Sequence, residues 1–184
     1  MVIQAYLKAT LENSDLFFEH ILNLKTKPRR GWQKKIGIKK PESVADHAYA
    51  VATIAMILSD SKKLNSEKIL KMALLHDLAE SITGDLTPDD GPKKKKENAA
   101  MKKIISSLRP TLRKQYWSLW IQYQNNTTKE ARLLHDIDKL EMALQAKKYR
   151  TNGHSRKKLE QFFDSALDRT NDLQIKKMIQ KLKH

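Results

Sequence analysis

Ionisable side chains interrupt one of the most apolar stretches of the chain. Residues 73–80 read Ala-Leu-Leu-His-Asp-Leu-Ala-Glu, which places His76, Asp77 and Glu80 in a segment otherwise typical of a buried helix. Burying charged groups costs free energy unless they are paired, hydrogen-bonded or bound to a metal ion. Adjacent side chains leave a helix about 100° apart, so His76 and Asp77 can hold one ion only with ligands from elsewhere. The pattern therefore directs attention to histidines and carboxylates on other helices.

A second histidine lies on the apolar face of the preceding predicted helix. His47 falls in register with the apolar residues of a helix predicted over residues 44–60. Ser43 and Asp46 have the spacing of a capping box that would begin this helix. A single inward histidine is more often a hydrogen-bonded core residue. Two of them on consecutive helices, one followed by Asp, favour a metal site.

The remaining carboxylate ligand is expected from a long helix predicted over residues 128–150. Helical periodicity places Asp138 beside the apolar seam of this helix, on a strip that it shares with Glu141. Asp138 is therefore the best-placed acid. His135 and Asp136 repeat the His–Asp pair, but periodicity turns Asp136 further outward. Because basic residues flank this second pair, we expect it to form a surface ion pair.

The composition limits the class of protein. The chain has 184 residues, of which 40% are hydrophobic and 31% charged, as expected for one globular domain. It contains no cysteine, so a metal site would use histidine and carboxylate ligands. No apolar run reaches the length of a membrane span, and the N-terminus shows no signal-peptide pattern. We therefore expect a cytoplasmic protein with no membrane partner.

The net charge of +15 indicates a preference for anionic ligands. Nucleotides, phosphorylated metabolites and nucleic acid all fit such a field, and so does a lysine-rich solvated surface. The lysines are spread over most segments, and no nucleic-acid-binding motif is recognised. Nucleic acid is therefore the weaker candidate partner.

The pattern of glycine, proline and apolar residues predicts an all-α fold. Every Gly and Pro falls in or beside a gap between apolar-periodic segments, and no convincing β alternation is present. A basic loop is predicted over residues 25–42 and a carboxylate-rich loop over residues 81–92. Thr127 and Glu130 have the spacing of a capping box for the long helix. The predicted helices span residues 3–24, 44–60, 66–81, 93–108, 110–123 and 128–150, with two more after Ser155.

Five blocks of residues, in a fixed order, carry a resemblance to a known family. They are Arg29-Arg30-Gly31-Trp32, residues 41–47, residues 73–80, residues 83–88 and residues 136–142. In type and order they resemble the HD-domain metal-dependent phosphohydrolases, and more closely the YfbR-like 5′-deoxynucleotidases. Five ordered blocks, covering most of the chain from residue 15 to residue 165, are far more specific than one His–Asp pair. The resemblance implies that residues 1–184 form a single HD-domain helical bundle.

The same resemblance implies a site and its residues. One divalent ion is expected, and mixed imidazole and carboxylate ligands leave its identity open among Mn, Co, Mg, Fe, Ni and Zn. The implied metal ligands are His47, His76, Asp77 and Asp138. The implied catalytic residues near the phosphate and sugar are Glu80 and Asp85, and the implied substrate-binding residues are Arg29 or Arg30, Trp32 and again Asp85.

The implied catalytic and substrate-binding residues also have plainer alternatives. Glu80 could orient a water or carry its proton, or it could pair with a lysine at a helix end. Asp85 could cap the turn that precedes it. Trp32 lies among basic residues, which suits stacking on a base, but it could also anchor the core. Arg29 fits the family's Arg-x-Gly-Trp spacing, and Arg30 remains the alternative.

We therefore expect a divalent-metal-dependent phosphomonoesterase that removes the 5′-phosphate from nucleoside monophosphates, with deoxyribonucleotides favoured. The first alternative is an HD phosphohydrolase acting on phosphodiesters, nucleoside triphosphates or alarmones. The second is a basic nucleic-acid-binding helical protein with a structural metal site, which would bind DNA or RNA with a steep salt dependence. Relatives of this type lead us to expect a homodimer, with the apolar residues of the 112–123 helix as the predicted interface.

Overall fold

A computed structural model describes residues 15–87 and 90–184. Within these ranges the chain forms helices and no strand, apart from an isolated bridge between Pro28 and Ser43, which confirms the all-α prediction. None of these helices is long and apolar enough to cross a lipid bilayer. The helices are α1 Asp15–Leu24, α2 Arg30–Ile36, α3 Val44–Ser61, α4 Ser66–Leu75, α5 Glu80–Thr83, α6 Lys93–Ser106, α7 Pro110–Gln124, α8 Lys129–Thr151, α9 Arg156–Arg169 and α10 Leu173–Lys183. The part of the first predicted helix before Asp15 lies outside the described residues.

Helix α8 is the centre of the packing. It contacts α3, α4, α7, α9 and α10, and α3 in turn lies against α4. Its buried residues recur every three or four positions, as expected for a helix that presents an apolar stripe to its neighbours. The fully buried side chains on this stripe include Leu134, Ile137 and Leu140. Helix α8 can therefore fix the distance between side chains that reach the core from several other helices.

Local sequence signals predict where the helices begin, in one case with an error of one residue. Ser43 and Asp46 form the predicted capping box at the start of α3. Helix α7 begins at Pro110, where the missing N–H of proline costs nothing. The predicted Thr127 cap of α8 is wrong by one residue, because Thr128 accepts the N–H of Ala131.

The helix predicted over residues 66–81 is interrupted at the His–Asp pair. Helix α4 ends at Leu75, and α5 begins at Glu80. In between, the backbone makes hydrogen bonds to the residue three positions earlier, from Leu78 N–H to Leu75 O at 3.1 Å and from Glu80 N–H to Asp77 O at 2.9 Å. This tighter turn changes the direction of the chain where the chemistry-bearing residues lie. The loop predicted over residues 25–42 also differs, since it contains the short helix α2.

Helix α7 uses its apolar residues internally. Leu119, Trp120 and Tyr123 are buried, and Tyr116 and Trp117 pack against the core. The interface predicted on this helix therefore has little free apolar surface. Large exposed apolar side chains lie on other helices, and those on α1 and α3 include Phe18, Leu22, Tyr49 and Ile57.

The prediction of a surface ion pair at His135 and Asp136 is wrong. Asp136 is buried, and its carboxylate accepts the backbone N–H groups of Asn171 at 2.8 Å and Asp172 at 3.0 Å. His135 stacks on Tyr123 with ring centroids 4.2 Å apart. Periodicity placed Asp136 outside the apolar seam, but the start of α10 covers that face of α8. The carboxylate satisfies two backbone donors at the start of α10.

Replacing Asp136 by Ala is expected to lower the free energy of unfolding by about 1–3 kcal/mol, because two N–H groups lose their acceptor. Urea unfolding of the two proteins measures the change. The matched control is Asp168→Ala, which removes an exposed carboxylate from α9 and should stay within about 0.5 kcal/mol of the parent. Equal stability of the Asp136→Ala variant and the parent would contradict this role.

Candidate functional site

Four predicted donor groups lie together around two histidine rings, and ligand atoms of His47, His76 and Asp138 lie within 4.8 Å of one another. His47 Nε2 lies 3.1 Å from Asp138 Oδ1, 3.4 Å from His76 Nε2 and 3.6 Å from Asp77 Oδ2. His76 Nε2 lies 3.3 Å from Asp77 Oδ2. His47 is fully buried at 0% exposure and His76 nearly so at 3%. The structure thus brings together the four residues that the family resemblance implies as metal ligands.

Three separate elements supply these groups. His47 lies in the first turn of α3, just after the capping box. His76 and Asp77 lie in the tight turn that follows α4, and Asp138 lies in the middle of α8. Because α8 packs against both α3 and α4, its Asp138 reaches the groups that those two helices deliver.

Hydrogen bonds to the far side of each imidazole fix which nitrogen faces the centre. Nδ1 of His76 lies 2.7 Å from the carbonyl oxygen of Ala73, and Nδ1 of His47 lies 2.5 Å from Oε2 of Glu141. A carbonyl or an ionised carboxylate can only accept, so each Nδ1 carries a proton. Nε2 of both rings is then the nitrogen presented to the common point.

The donor set fits a divalent metal ion. Neighbouring donors bound at about 2.1 Å to one ion lie roughly 3.0–3.5 Å from each other, close to the 3.1–3.6 Å separations that the two histidine Nε2 atoms make here. Burial alone would raise the pKa of Asp77, but His76 and Arg29 hold it well below its usual range. Burial is likewise outweighed at Asp138, whose pKa is lowered by Lys139 and His47. Two ionised carboxylates and two imidazoles are typical ligands of first-row transition ions.

Glu80 lies beside this centre with one oxygen unused. Its side chain is 1% exposed, and Oε1 accepts from Lys93 Nζ at 3.3 Å. Oε2 is buried and has no hydrogen-bond partner within the described residues. Burial and the charge of Asp77 raise the pKa of Glu80 well above its usual value, against the opposing effect of Lys93. The pairing with a lysine that the sequence offered as an alternative is present, yet it leaves Oε2 free for a water or a substrate.

The structure separates the two adjacent arginines. Arg29 points to the metal ligands, with Nη1 3.4 Å from Asp77 Oδ2. Burial lowers the pKa of its guanidinium, but Asp77, Asp85 and Glu80 raise it above the usual value. Arg30 turns to the following loop, where it donates to the carbonyl of Asp85 at 3.4 Å and to Asp90 Oδ2 at 3.2 Å. Arg29 is thus the arginine that lies beside the predicted metal ligands, and Arg30 binds the loop that follows α5.

Asp85 follows Gly84 in the loop after α5. Gly84 has φ +69°, a left-handed conformation that glycine adopts without strain. Asp85 is 9% exposed, and its charge raises the pKa values of Arg29, Glu80 and Lys93. Its carboxylate therefore belongs to the same electrostatic cluster as Glu80.

The interpretation of Trp32 as a base-stacking residue is wrong for this structure. Trp32 is 2% exposed and stacks on Phe162 with centroids 4.1 Å apart. Its second neighbour is Tyr149, in edge contact at 5.1 Å, and its indole N–H donates to Glu42 Oε1 at 2.8 Å. No face of the ring is left for a base. Trp32 instead anchors the core, which is the alternative role predicted for it.

Sequence reasoning assigned no role to two residues that contact the site. Lys93, within a run of four lysines, bonds Glu80, and Glu141 bonds His47. The run of like residues hides Lys93 among its neighbours. Glu141 could be placed on the same strip as Asp138, but periodicity does not distinguish a ligand from a residue that contacts a ligand.

Residues 21–179 match the HD domain family, and the chain belongs to this family. It is 37% identical over 170 residues to the human protein named 5′-deoxynucleotidase HDDC2, a match that covers 90% of this chain and 82% of that protein. The Dictyostelium discoideum protein of the same name is 40% identical over 163 residues, covering 81% and 85%. The solved structure of the PH0347 protein from Pyrococcus horikoshii OT3 is 32% identical, with a TM-score of 0.76 and coverage of 91% and 96%.

Binding of Mn²⁺ to the metal-free protein at about pH 8 is expected to release about one proton per ion. Burial and Arg29 lower the pKa of His47, but hydrogen bonds to Asp138 and Glu141 raise it to about 10. The ring is therefore protonated at this pH without metal, and a metal ligand has to give up that proton. Calorimetric titrations in buffers of different ionisation enthalpy measure the number released.

The control for this titration is His184→Ala, which removes an exposed histidine at the chain end and should leave the proton count unchanged. A binding heat that does not depend on the buffer would contradict the protonated state of His47.

Proposed function

We propose that this HD-domain protein is a divalent-metal-dependent phosphohydrolase that removes the 5′-phosphate from deoxynucleoside monophosphates. The observation that carries the proposal is the convergence of His47, His76, Asp77 and Asp138 beside the buried free oxygen of Glu80. Relatives named 5′-deoxynucleotidase, 37–40% identical over most of both chains, support the choice of substrate class.

The four donor residues would hold one divalent ion. A bound ion of this kind lowers the pKa of a coordinated water, polarises the phosphoryl group and offsets its negative charge. The chain's own contribution is to keep two imidazoles and two carboxylates in place with their donor atoms already close together. Mixed nitrogen and oxygen ligands are compatible with Mn, Co, Fe, Ni, Zn or Mg.

Arg29 is proposed to bind the phosphate of the substrate. Its guanidinium carries five N–H donors, of which the structure engages one with Asp77 at 3.4 Å. The remaining donors can contact phosphate oxygens in the paired geometry that arginine favours. Since Arg29 stays charged at any ordinary pH, it holds the phosphate in the same way throughout the reaction.

Glu80 is proposed to carry the proton that hydrolysis requires. Water adds to phosphorus, the bond between phosphorus and the 5′-oxygen breaks, and the leaving oxygen ends as a hydroxyl group. A proton must move from the water to that oxygen. Glu80 suits this task because burial and the charge of Asp77 raise its pKa well above the usual value, so its carboxyl group keeps a proton to higher pH than an ordinary glutamate does. The charge of Asp85 acts on Glu80 and raises its pKa. Asp85 is proposed to act in catalysis with Glu80 and to contact the sugar.

The proposal predicts phosphate release from deoxynucleoside monophosphates in Mn²⁺ or Co²⁺, and none in EDTA. His76→Ala removes one donor and Asp138→Asn removes one negative charge from the donor set, and each variant should abolish the activity because the weakened site holds the ion poorly. Phosphate assays over a panel of nucleoside mono-, di- and triphosphates and a phosphodiester measure the selectivity. Activity only on triphosphates or diesters would contradict the monophosphate proposal and would indicate the alternative HD phosphohydrolase function. No turnover with any metal, together with salt-sensitive binding of DNA or RNA, would favour the nucleic-acid-binding alternative.

The two arginines provide a matched pair of variants. Arg29→Ala is expected to lower kcat/KM by about 10²–10³-fold, because it removes a preorganised charge from the phosphate. Arg30→Ala removes the same charge from the next residue, which contacts the loop, and should have a much smaller effect. Steady-state kinetics with one monophosphate substrate measure both. An equal loss in the two variants would contradict the assignment of Arg29 to the phosphate.

The homodimer and the cytoplasmic location stay predictions from the sequence. Light scattering of the purified protein measures the mass in solution and tests the first of them.

A further inference from the structure

Helix α8 holds the ring of His47 at both nitrogens. On one side, Asp138 Oδ1 lies 3.1 Å from Nε2, and on the other, Glu141 Oε2 lies 2.5 Å from Nδ1. The two acids are three residues apart, so they project from neighbouring positions of one helix. His47 is fully buried and Glu141 is 4% exposed. The imidazole is thus enclosed between two carboxylates of a single rigid element.

A hydrogen bond accounts for the Glu141 contact better than a second metal ion does. Oxygens of Glu42 and Glu141 and a nitrogen of His47 lie within 4.8 Å of one another, which resembles a small donor cluster. Two donors that share an ion are about 3 Å or more apart, whereas His47 Nδ1 and Glu141 Oε2 are separated by only 2.5 Å. Glu42 is already engaged, because its Oε1 accepts the indole N–H of Trp32 at 2.8 Å.

We propose that Glu141 is the positioning residue that sets the affinity of the metal centre, by holding His47 in the orientation and tautomer that ligation requires. The inference rests on the metal-dependent function proposed above. With Glu141 Oε2 as the acceptor 2.5 Å from Nδ1, the proton stays on Nδ1 and the lone pair of Nε2 is directed to the ion. Its negative charge also makes the ring a better donor, as carboxylates behind metal-bound histidines do.

His76 reaches the same tautomer by another means. Its Nδ1 donates to the backbone carbonyl of Ala73, a neutral acceptor that no side-chain substitution removes. His47 depends on a charged side chain from a different helix. The affinity of the site is therefore adjustable at Glu141, and α8 couples the ligand Asp138 to the orientation of a ligand on α3.

The test compares the dissociation constant of Co²⁺ for the parent protein and for three variants. Glu141→Ala leaves Nδ1 without its acceptor and is expected to weaken Co²⁺ binding by about 10–100-fold. Glu141→Gln keeps an oxygen acceptor of similar size but lacks the charge, so its affinity should fall between those of the alanine variant and the parent. The matched control is Glu130→Gln, which neutralises a carboxylate of the same helix that pairs with Lys68 at 3.1 Å and should leave Co²⁺ binding unchanged.

The visible absorption spectrum of bound Co²⁺ gives a second measurement, because a general loss of protein stability would not change the spectrum of the bound ion. A ring that is free to rotate alters the ligand field, so the spectrum of the Glu141→Ala variant should differ from that of the parent even at saturating Co²⁺. The activity of the glutamine variant should recover when the metal concentration is raised, with kcat changing less than the metal affinity.

Two results separate the failure of this inference from the failure of the proposed function. If the parent binds Co²⁺ and both Glu141 variants bind it equally well with the same spectrum, the positioning role is wrong and the metal centre stands. If the parent binds no divalent ion, the metal centre and the role of Glu141 are both wrong.

Discussion

The structure depends on placing two imidazoles and two carboxylates at one point inside an apolar helical core. Each of these groups would be costly to bury alone. Here each is compensated: Arg29 lies against Asp77, Lys139 against Asp138, Glu141 against His47 and a backbone carbonyl against His76. The inner nitrogens of His47 and His76 lie 3.1–3.6 Å from each other and from the nearest oxygens of Asp77 and Asp138, and a shared divalent cation would satisfy all of these donor atoms. Such a cation would offset the cost of burying this cluster in an apolar core.

The helices are arranged to meet this requirement. A continuous helix over residues 66–81 would direct His76 and Asp77 about 100° apart. The tight turn after Leu75 brings their Nε2 and Oδ2 atoms to 3.3 Å and starts α5 at Glu80, next to the same centre. Helix α8 supplies Asp138 directly and Glu141 behind His47. The site is therefore built on secondary structure elements that pack against one another, and the loop after α5 contributes Asp85 at its edge.

Residue type and periodicity were sufficient to predict the all-α fold and to single out candidate ligands, because histidines and acids that recur on apolar helix faces need a partner that offsets the cost of burying them. The full set of four implied ligands came from the family resemblance. They failed where the deciding partner is distant in the chain. Trp32 lies among basic residues in sequence, but Phe162 and Tyr149 cover its ring. Asp136 faces away from the apolar seam, but the start of α10 covers that face. The period of a helix gives the direction of a side chain, and only tertiary packing determines what the side chain meets.

The central claim is that one divalent ion is shared by donors from α3, the turn after α4, and α8. Anomalous diffraction from a crystal of the Mn²⁺-loaded protein tests it most directly. The account predicts a single strong peak within bonding distance, about 2.0–2.3 Å, of His47 Nε2, His76 Nε2, Asp77 Oδ2 and Asp138 Oδ1. A peak bound to the Glu42 and Glu141 carboxylates instead, or one that touches fewer than three of the four donors, would contradict it.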